Sequence, residues 1–254
     1  MQARLPLADG APLVSATFIS RPNQLIIEAR LDGRTVRAQM ADRGRFAEVL
    51  RPGLRLLLAP RNEIGRKTEY QVVGVYDGEE LFSLDTQLPQ RLVAAALENS
   101  ALPQFARYVH FQPDCTIGTH HFDFRLGEGL LTCILEVTAV NAISNGVALF
   151  PEVPSERVRK QLDALAQLAR SGQRTAMLFI IQRSYARYLV PNESVDPLFA
   201  RSLRQALAVG VEIYANLCPL TPAGITLGPP VAVFGSPATM TLDTVPALRG
   251  TQRR

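Results

Sequence analysis

Short runs of alternating apolar and polar residues, or of β-branched residues, fill the chain from Leu13 to about Leu84. Turn signals separate these runs, among them the Asp-Gly pairs at 32–33 and 77–78. Because side chains alternate between the two faces of a strand, five or six such runs predict a small β-barrel. The runs are VSATFIS, QLIIEARL, RTVRAQM, LRLLLAP and EYQVVGVY.

The spacing of apolar residues changes after the barrel, where the segment PQRLVAAALEN from Pro89 predicts a helix with proline in its first turn. Strands then alternate with helices, which predicts an α/β second half built on a mixed sheet. The predicted elements are two strands around Asp123 and Glu136, a helix from about Ser155 to Ser171 ended by Gly172, the strand TAMLFIIQ, a helix from Asp196-Pro197 to Gly210, and the strand VEIYAN.

We therefore predict an α/β protein, α+β overall, with two domains and a tail. Residues 1–88 would form the barrel, residues 89–234 the α/β domain, and residues 235–254 a flexible basic tail with little periodicity. The chain has 254 residues, of which 47% are apolar, enough to bury a large core. This composition excludes the disordered and fibrous classes.

Charge and cysteine content narrow the partners and the compartment. A net charge of +4 is compatible with a nucleic-acid partner without requiring one. The three cysteines form no C-x-x-C pair, which favours a reducing cytoplasm. The N-terminus does not resemble a signal peptide, and every apolar stretch is far shorter than the ~20 residues of a membrane span. We expect a soluble cytoplasmic protein that does not interact with membranes.

Several enzyme classes lose support because their motifs are missing from the sequence. We find no P-loop and no G-x-S-x-G motif, which argues against P-loop nucleotide hydrolysis and serine hydrolase chemistry. His110, His120 and His121 have no ligand spacing with a cysteine, so we do not expect a zinc site.

Asp123 and Glu136 are the candidate metal ligands, because each is a carboxylate within an apolar strand. A buried charge is costly unless it is paired or coordinates a metal, and carboxylates on neighbouring strands can converge on one Mg²⁺ or Mn²⁺ ion. The alternative is a structural carboxylate that faces water on a sheet edge.

Arg157 and Lys160 lie one turn apart in the helix SERVRKQLDALAQLARSG, so they project from one flank of it. That flank could contact a phosphate backbone, and Lys160 could supply an ammonium to a metal site. The alternative is a solvated helix face.

Two barrel loops carry basic and aromatic residues. ADRGRFAEVL contains Asp42 and Arg45, and GRKTEY contains Arg66, Lys67 and Tyr70. Small barrels that bind single strands present such loops to phosphates and bases, although barrels of many functions have basic loops.

Together these segments resemble the sugar fermentation stimulation protein A family, SfsA, from about Leu13 to Thr226. In the first half, AQMADRGRFAEVLRPG is similar to H-x-x-D-x-G-R-L-x-E-x-L-x-P-G, with Gln39 in the His position. RKTEYQVVGVYDGEELFSLDTQLPQRLV is similar to R-K-T-x-Y followed by S-L-D-T-x-x-P-N-R-L, and it keeps Arg91 but has Gln90 in the Asn position.

The second half resembles the same family through three segments. HHFDF is similar to S-R-[IV]-D-F, and LEVTAV is similar to [IL]-E-V-K-[SN]-V. FPEVPSERVRKQL is similar to F-P-D-A-x-T-x-R-G-x-K-H-L. Asp123, Glu136, Arg157 and Lys160 match these patterns. The departures are His121 for Arg, Thr138 for Lys and Gln161 for His.

The resemblance implies an N-terminal OB-like barrel and a nuclease-like domain of the PD-(D/E)xK type, with DNA binding as the shared activity and a role in sugar metabolism proposed for some members. Asp123, Glu136 and Lys160 would be catalytic if the protein cleaves, with Asp123 and Glu136 as metal ligands. The residues that would bind nucleic acid are Asp42, Arg45, Arg66, Lys67, Tyr70, Arg91 and Arg157.

Thr138 bears on catalysis, because a hydroxyl cannot supply the positive charge of the expected lysine. We therefore expect a protein that binds DNA, or RNA as the alternative partner, with poor or absent cleavage. An active nuclease dependent on Mg²⁺ or Mn²⁺, with Lys160 as the ammonium, is the second hypothesis. A scaffold that retains only the remnant of a site is the third.

Overall fold

A computed structural model describes residues 3–40, 50–61, 68–129 and 131–234. The strands of the first part are β1 (Arg4–Leu5), β2 (Val14–Ser20), β3 (Ile26–Leu31), β4 (Arg34–Gln39), β5 (Arg55–Pro60), β6 (Tyr70–Asp77) and β7 (Glu80–Ser83). Helix α1 (Leu88–Glu98) follows, and then β8 (Phe111–Ile117), β9 (His120–Glu128), β10 (Leu131–Val140), β11 (Ile143–Ser144) and β12 (Val147–Phe150). The remainder comprises α2 (Glu156–Arg170), β13 (Arg174–Ile181), β14 (Tyr188–Pro191), α3 (Pro197–Ala208), β15 (Glu212–Leu217), β16 (Leu220–Thr221), β17 (Gly224–Thr226) and β18 (Ala232–Val233).

Strands β2 to β6 close into an OB-like barrel. Strand β2 pairs with β3 and β5, β3 pairs with β4, and β6 closes the ring by pairing with β5 and, in parallel, with β4. Alternate residues of these strands point inward, and Ile27, Leu56 and Leu58 are fully buried in the barrel core. The five strands predicted from the alternating runs are confirmed.

Strands from both ends of the chain extend the barrel sheet. Beyond β6 the sheet continues through β7, β16 and β17 to β1. Leu81 of β7 pairs with Leu220 of β16, and Arg4 of β1 pairs with Thr226 of β17. Residues far apart in sequence therefore complete a sheet that begins as the N-terminal barrel.

The second half is organised around a five-stranded mixed sheet in the order β15, β13, β10, β9, β8. Strands β15, β13 and β10 are parallel, whereas β9 and β8 are antiparallel to their neighbours. A smaller sheet of β11, β12, β14 and β18 lies beside it. The prediction of an OB-like barrel followed by an α/β domain with a mixed sheet is confirmed.

Helices α2 and α3 begin at side chains that cap them. The Ser155 hydroxyl accepts a hydrogen bond from the backbone N–H of Val158, and the Asp196 carboxylate accepts one from Phe199. Both helices bury an apolar face against one side of the mixed sheet, with Leu162 of α2 fully buried. The predicted boundaries of both helices hold to within two residues.

Helix α1 lies between the barrel and the other side of the mixed sheet. Its buried residue Leu92 belongs to one apolar cluster with Leu57 of the barrel and Leu135 of the sheet. Arg183 adds a polar connection, because its guanidinium pairs with Asp77 (2.9 Å) and donates to the Asn141 carbonyl (2.6 Å). The predicted domain division after residue 88 falls in the first turn of α1 and stays a prediction.

Three further predictions concern the thiols, membrane spans and the tail. All three cysteines are buried free thiols, and Cys133 is fully buried in β10. Across the described ranges no helix combines the length and apolarity that crossing a bilayer requires. The predicted tail at 235–254 lies outside the described residues.

Candidate metal and nucleic-acid site

The candidate site opens where the hairpin of β9 and β10 separates. The antiparallel pairing ends with Phe124 opposite Leu135. At the next residue of β9, the Asp123 carboxylate takes the place of a backbone carbonyl as hydrogen-bond acceptor. Its Oδ2 accepts a hydrogen bond from the N–H of Val137 at 2.7 Å. The separation of the strands thus places a carboxylate next to Glu136 of the neighbouring strand.

Glu136 is the most enclosed charged group of the site, with 3% of its side chain exposed. Its Oε1 accepts a hydrogen bond from Gln161 Nε2 at 3.2 Å and lies 3.4 Å from the Arg157 guanidinium. Its Oε2 is buried and has no hydrogen-bond partner in the part of the chain that the structure describes. The interior strand β10 places this side chain under α2, so the alternative of a water-facing edge carboxylate is wrong for Glu136.

The surroundings disfavour two negative charges at this point. Burial, together with the nearby charge of Asp123, raises the pKa of Glu136 to about 8, although Arg157 and Gln161 act in the opposite direction. Burial also raises the pKa of Asp123, against the hydrogen bond from Val137. The carboxylate pair therefore lacks sufficient positive charge, which a bound cation would provide.

Helix α2 brings two side chains to this pair. Arg157 and Gln161 are four residues apart and so lie on the same face of the helix. Gln161 Nε2 also donates to the His121 carbonyl of β9 at 2.7 Å, which ties the helix to the strand beside Asp123. Lys160 points elsewhere, because its ammonium pairs with Glu156 at 2.9 Å and 69% of its side chain is exposed.

Gln90 of α1 approaches the site from the barrel side. Its amide nitrogen lies 3.5 Å from Asp123 Oδ1. With the nitrogen and oxygen exchanged, the same amide donates to the carbonyls of Thr86 at 2.7 Å and Gln87 at 3.3 Å, and its oxygen then faces Asp123. The first orientation connects Gln90 to Asp123 at the strand opening, and the second connects it to the segment that links barrel and helix.

A cavity of about 280 Å³ adjoins the carboxylate pair, between the barrel side and the α/β domain. Gln90 and Arg157 line it together with Thr138, which is buried two residues beyond Glu136 on β10. A cavity of about 150 Å³ holds a benzene ring. This one therefore has room for a group the size of a phosphate with part of its sugar.

The chemistry of the donors fits a hard divalent cation. Two carboxylates lie close together here, and one oxygen of Glu136 has no partner within the described ranges. Mg²⁺ and Mn²⁺ prefer oxygen ligands. Across the described part of the chain, no three His, Cys, Asp or Glu side chains converge as a metal group. Asp123 and Glu136 would thus hold the ion with peptide oxygens, water or a phosphate of the ligand.

Two residues predicted to bind nucleic acid lie apart from the carboxylate pair. The guanidinium of Arg91 is held by Asp85 at 2.6 Å and Asp9 at 3.2 Å beside a second cavity of about 300 Å³. The Tyr70 hydroxyl, at the start of β6, accepts a hydrogen bond from Arg34 at 3.5 Å. Four other predicted residues lie outside the described ranges, namely Asp42, Arg45, Arg66 and Lys67.

The structure also brings in two glutamines to which sequence reasoning gave no role. Gln161 and Gln90 both occupy positions where the resembling family has another polar residue. For Gln161 the signal was available, because it lies one turn beyond Arg157. For Gln90 only the fold supplies the contact, since α1 and β9 are distant in sequence.

Comparison with known proteins gives matches over nearly the whole chain. A family model described as the sugar fermentation stimulation protein RE domain matches residues 87–224, and one described as the SfsA N-terminal OB domain matches residues 19–84. A sugar fermentation stimulation protein homolog of Chloroflexus aurantiacus is 58% identical over 92% of this chain and 90% of its own length. A homolog of Moorella thermoacetica is 42% identical over 88% of this chain and 97% of its own length.

A solved structure has the same fold. The structure of Pyrococcus furiosus SfsA in complex with Ca²⁺ superposes with a TM-score of 0.79 and 25% identity, and it covers 90% of this chain and 99% of that one.

Proposed function

This chain belongs to the sugar fermentation stimulation family, SfsA, and we propose that it binds DNA. RNA is the alternative partner, and the strand would lie in the groove between the barrel and the α/β domain. A divalent cation, Mg²⁺ or Mn²⁺, would bind at Asp123 and Glu136. Cleavage of the bound strand would be weak or absent.

One observation carries this proposal: the buried carboxylate of Glu136 lies near the half-buried carboxylate of Asp123 without enough positive charge. Glu136 is nearly inaccessible, and its Oε2 has no partner among the described residues. Structural carboxylates are normally satisfied by hydrogen bonds or ion pairs. A pair that is not satisfied by the protein supports a bound cation, and a cation beside a cavity supports an anionic ligand in that cavity.

The groove offers further groups to a phosphate backbone. Arg157 lines the cavity beside the carboxylates, and 60% of its side chain is exposed. The structure of the related Pyrococcus furiosus protein is that of a complex with Ca²⁺. A relative in complex with Ca²⁺ supports a divalent cation in this chain.

A cation bound here would polarise a phosphate and lower the pKa of a bound water. The residues of this chain supply less to the water. Thr138 is a neutral hydroxyl, buried two residues beyond Glu136, in the position where the resembling family has lysine. Among the described residues no ammonium lies beside the carboxylates, and the Arg157 guanidinium that does lie there is paired with Glu136, which supports binding over cleavage.

The second candidate function is a metal-dependent nuclease that takes its ammonium from Lys160. This lysine lies on the correct helix, one turn from Arg157, but its ammonium pairs with Glu156 on the outer face. Cleavage through Lys160 would need the side chain to leave that partner and turn toward Glu136. The geometry therefore favours the binding function.

A gel-shift titration tests the binding function. We expect single- or double-stranded DNA to be retained at about 50 mM salt and released as salt rises, because Lys and Arg contacts to phosphates compete with counterions. Affinity should fall by at least about tenfold between 50 and 200 mM salt. Failure to retain either DNA or RNA at low salt would refute the proposal.

Incubation with Mn²⁺ distinguishes the two candidate functions. We expect no cleavage of labelled single- or double-stranded DNA, or cleavage so slow that Asp123→Ala changes it little. Rapid cleavage by the wild-type protein that disappears in Asp123→Ala, and is reduced in Lys160→Gln, would establish the nuclease instead. A role in sugar metabolism is suggested only by the names of the relatives and stays a prediction.

A further inference from the structure

We infer that Arg157 couples the two ligands of the site: its guanidinium and a divalent cation compete for Glu136, and the guanidinium released from Glu136 binds a phosphate of the nucleic acid. This inference rests on the proposed function, since it assigns how the cation and the strand depend on each other. It concerns one side chain that faces both the carboxylates and the cavity.

The ion pair between Arg157 and Glu136 is loose. One nitrogen of the guanidinium reaches one oxygen of Glu136, at 3.4 Å, although Arg–carboxylate pairs commonly form two parallel hydrogen bonds. By contrast, Arg159 on the same helix contacts both oxygens of Asp196, at 2.7 and 2.8 Å. The same residue type in the same helix therefore forms a tight pair at one position and a replaceable pair at the other.

The Arg157 guanidinium and a divalent cation would repel each other if both bound to Glu136. The guanidinium contributes favourable charge to Glu136, and a divalent ion at the carboxylates would repel it across a short distance. Gln161 holds the same oxygen of Glu136 through a neutral amide, which remains compatible with the ion. Arg157 is thus the group that must move when a cation binds.

The cavity gives the released guanidinium a new partner. Arg157 lines the cavity, and because 60% of its side chain is exposed, the side chain can change rotamer without displacing buried residues. A guanidinium is suited to phosphate oxygens, which it can bind with two donors at once. Cation binding therefore raises the affinity for the strand, and by linkage the strand raises the affinity for the cation.

The test uses the full chain, Mn²⁺ or Ca²⁺, and a short labelled oligonucleotide, with Arg157→Gln as the variant. We expect Arg157→Gln to bind Mn²⁺ about 3- to 10-fold more tightly than wild type without nucleic acid, because a competing charge is gone. Ca²⁺ should raise the oligonucleotide affinity of wild type about fivefold or more, and that of Arg157→Gln less than twofold. Arg170→Gln is the matched control, with the same charge loss at the exposed far end of α2.

The outcomes separate this inference from the proposed function. Mn²⁺ binding that is equal or weaker in Arg157→Gln than in wild type would overturn the competition for Glu136. An equal Ca²⁺ effect on strand affinity in both proteins would overturn the coupling. A wild type that binds Mn²⁺ but no oligonucleotide would refute the proposed function and the coupling, while the Mn²⁺ titrations would still decide the competition.

Discussion

Replacing Glu136 by glutamine is expected to stabilise the protein by a few kcal/mol at pH 8 in EDTA, and to abolish its stabilisation by Mn²⁺. Most substitutions of buried residues destabilise a protein. This one should not, because it removes a charge that the folded state tolerates poorly, and because the amide keeps the shape of the carboxylate.

The direction of this stability change follows from the pKa of the Glu136 carboxyl group in the folded and the unfolded protein. The pKa of Glu136 is about 8 in the folded protein against an ordinary value of 4.5, so the folded state holds the proton over that range while the unfolded chain has lost it. The contribution of Glu136 to the stability of wild type in EDTA is therefore fully present below about pH 4.5, and it is lost as pH rises through about 8. A neutral glutamine removes this decline.

Urea unfolding at pH 6 and pH 8, each with EDTA or Mn²⁺, measures both effects. At a hundredfold excess of Mn²⁺ over its dissociation constant, wild type should gain about 2.7 kcal/mol, and Glu136→Gln close to none. Glu98→Gln, the same replacement at an exposed position of α1, is the control and should follow wild type. A Glu136→Gln protein that is less stable than wild type at pH 8 in EDTA would contradict this account of the site.

Replacing Asp196 by alanine should destabilise the protein by about 3–5 kcal/mol, the cost of breaking a buried ion pair. The Asp196 side chain is 2% exposed and accepts from Arg159 with both oxygens. It also accepts from the backbone N–H groups of Ser155 and Phe199, each at 2.9 Å. One truncation would thus leave a guanidinium, the buried N–H of Phe199 and the partly buried N–H of Ser155 without this acceptor.

Acid should reveal the same cluster. Burial alone would raise the pKa of Asp196, but the hydrogen bonds from Ser155, Phe199 and Arg159 outweigh it and lower that pKa. The stability from this group is therefore present above its ordinary pKa of 3.8 and lost as pH falls below it.

The unfolding free energy of Asp196→Ala, from urea titrations at pH 7, is the measurement. Glu193→Ala is the matched control, because Glu193 lies three residues away and its ion pair with Arg204 is exposed. We expect the control to change stability by less than about 1 kcal/mol. A loss of similar size in both variants would show that the buried cluster is not special.

Local signals predicted the elements well because their causes are local. Asp196 before Pro197 marked the start of α3, and Gly172 and Gly210 marked helix ends, since a cap depends only on neighbouring residues. Alternation of apolar residues marked the barrel strands for the same reason. No local signal predicted that β16 and β17 join the barrel sheet, because pairing between distant segments depends on the whole fold.

The site was predicted in part. The carboxylates of Asp123 and Glu136 were identified from their apolar setting, and the structure places both where the strands separate. The spacing of Arg157 and Lys160 suggested that both face the site, but only Arg157 does, since side chains three residues apart in a helix differ in direction by about 60° and Glu156 attracts the lysine. Rotamers and partners of exposed charges are decided by tertiary contacts that sequence spacing does not contain.

The strands that complete the barrel sheet have a consequence for how the protein is made. Strand β7 leaves the ribosome early, whereas its partner β16 begins at Leu220. During synthesis the nascent barrel must keep an unpaired strand edge until nearly the whole chain has emerged, and such edges invite pairing with other chains. A fragment ending near residue 88 would carry the same open edge permanently, so it should aggregate where the full-length chain stays dispersed.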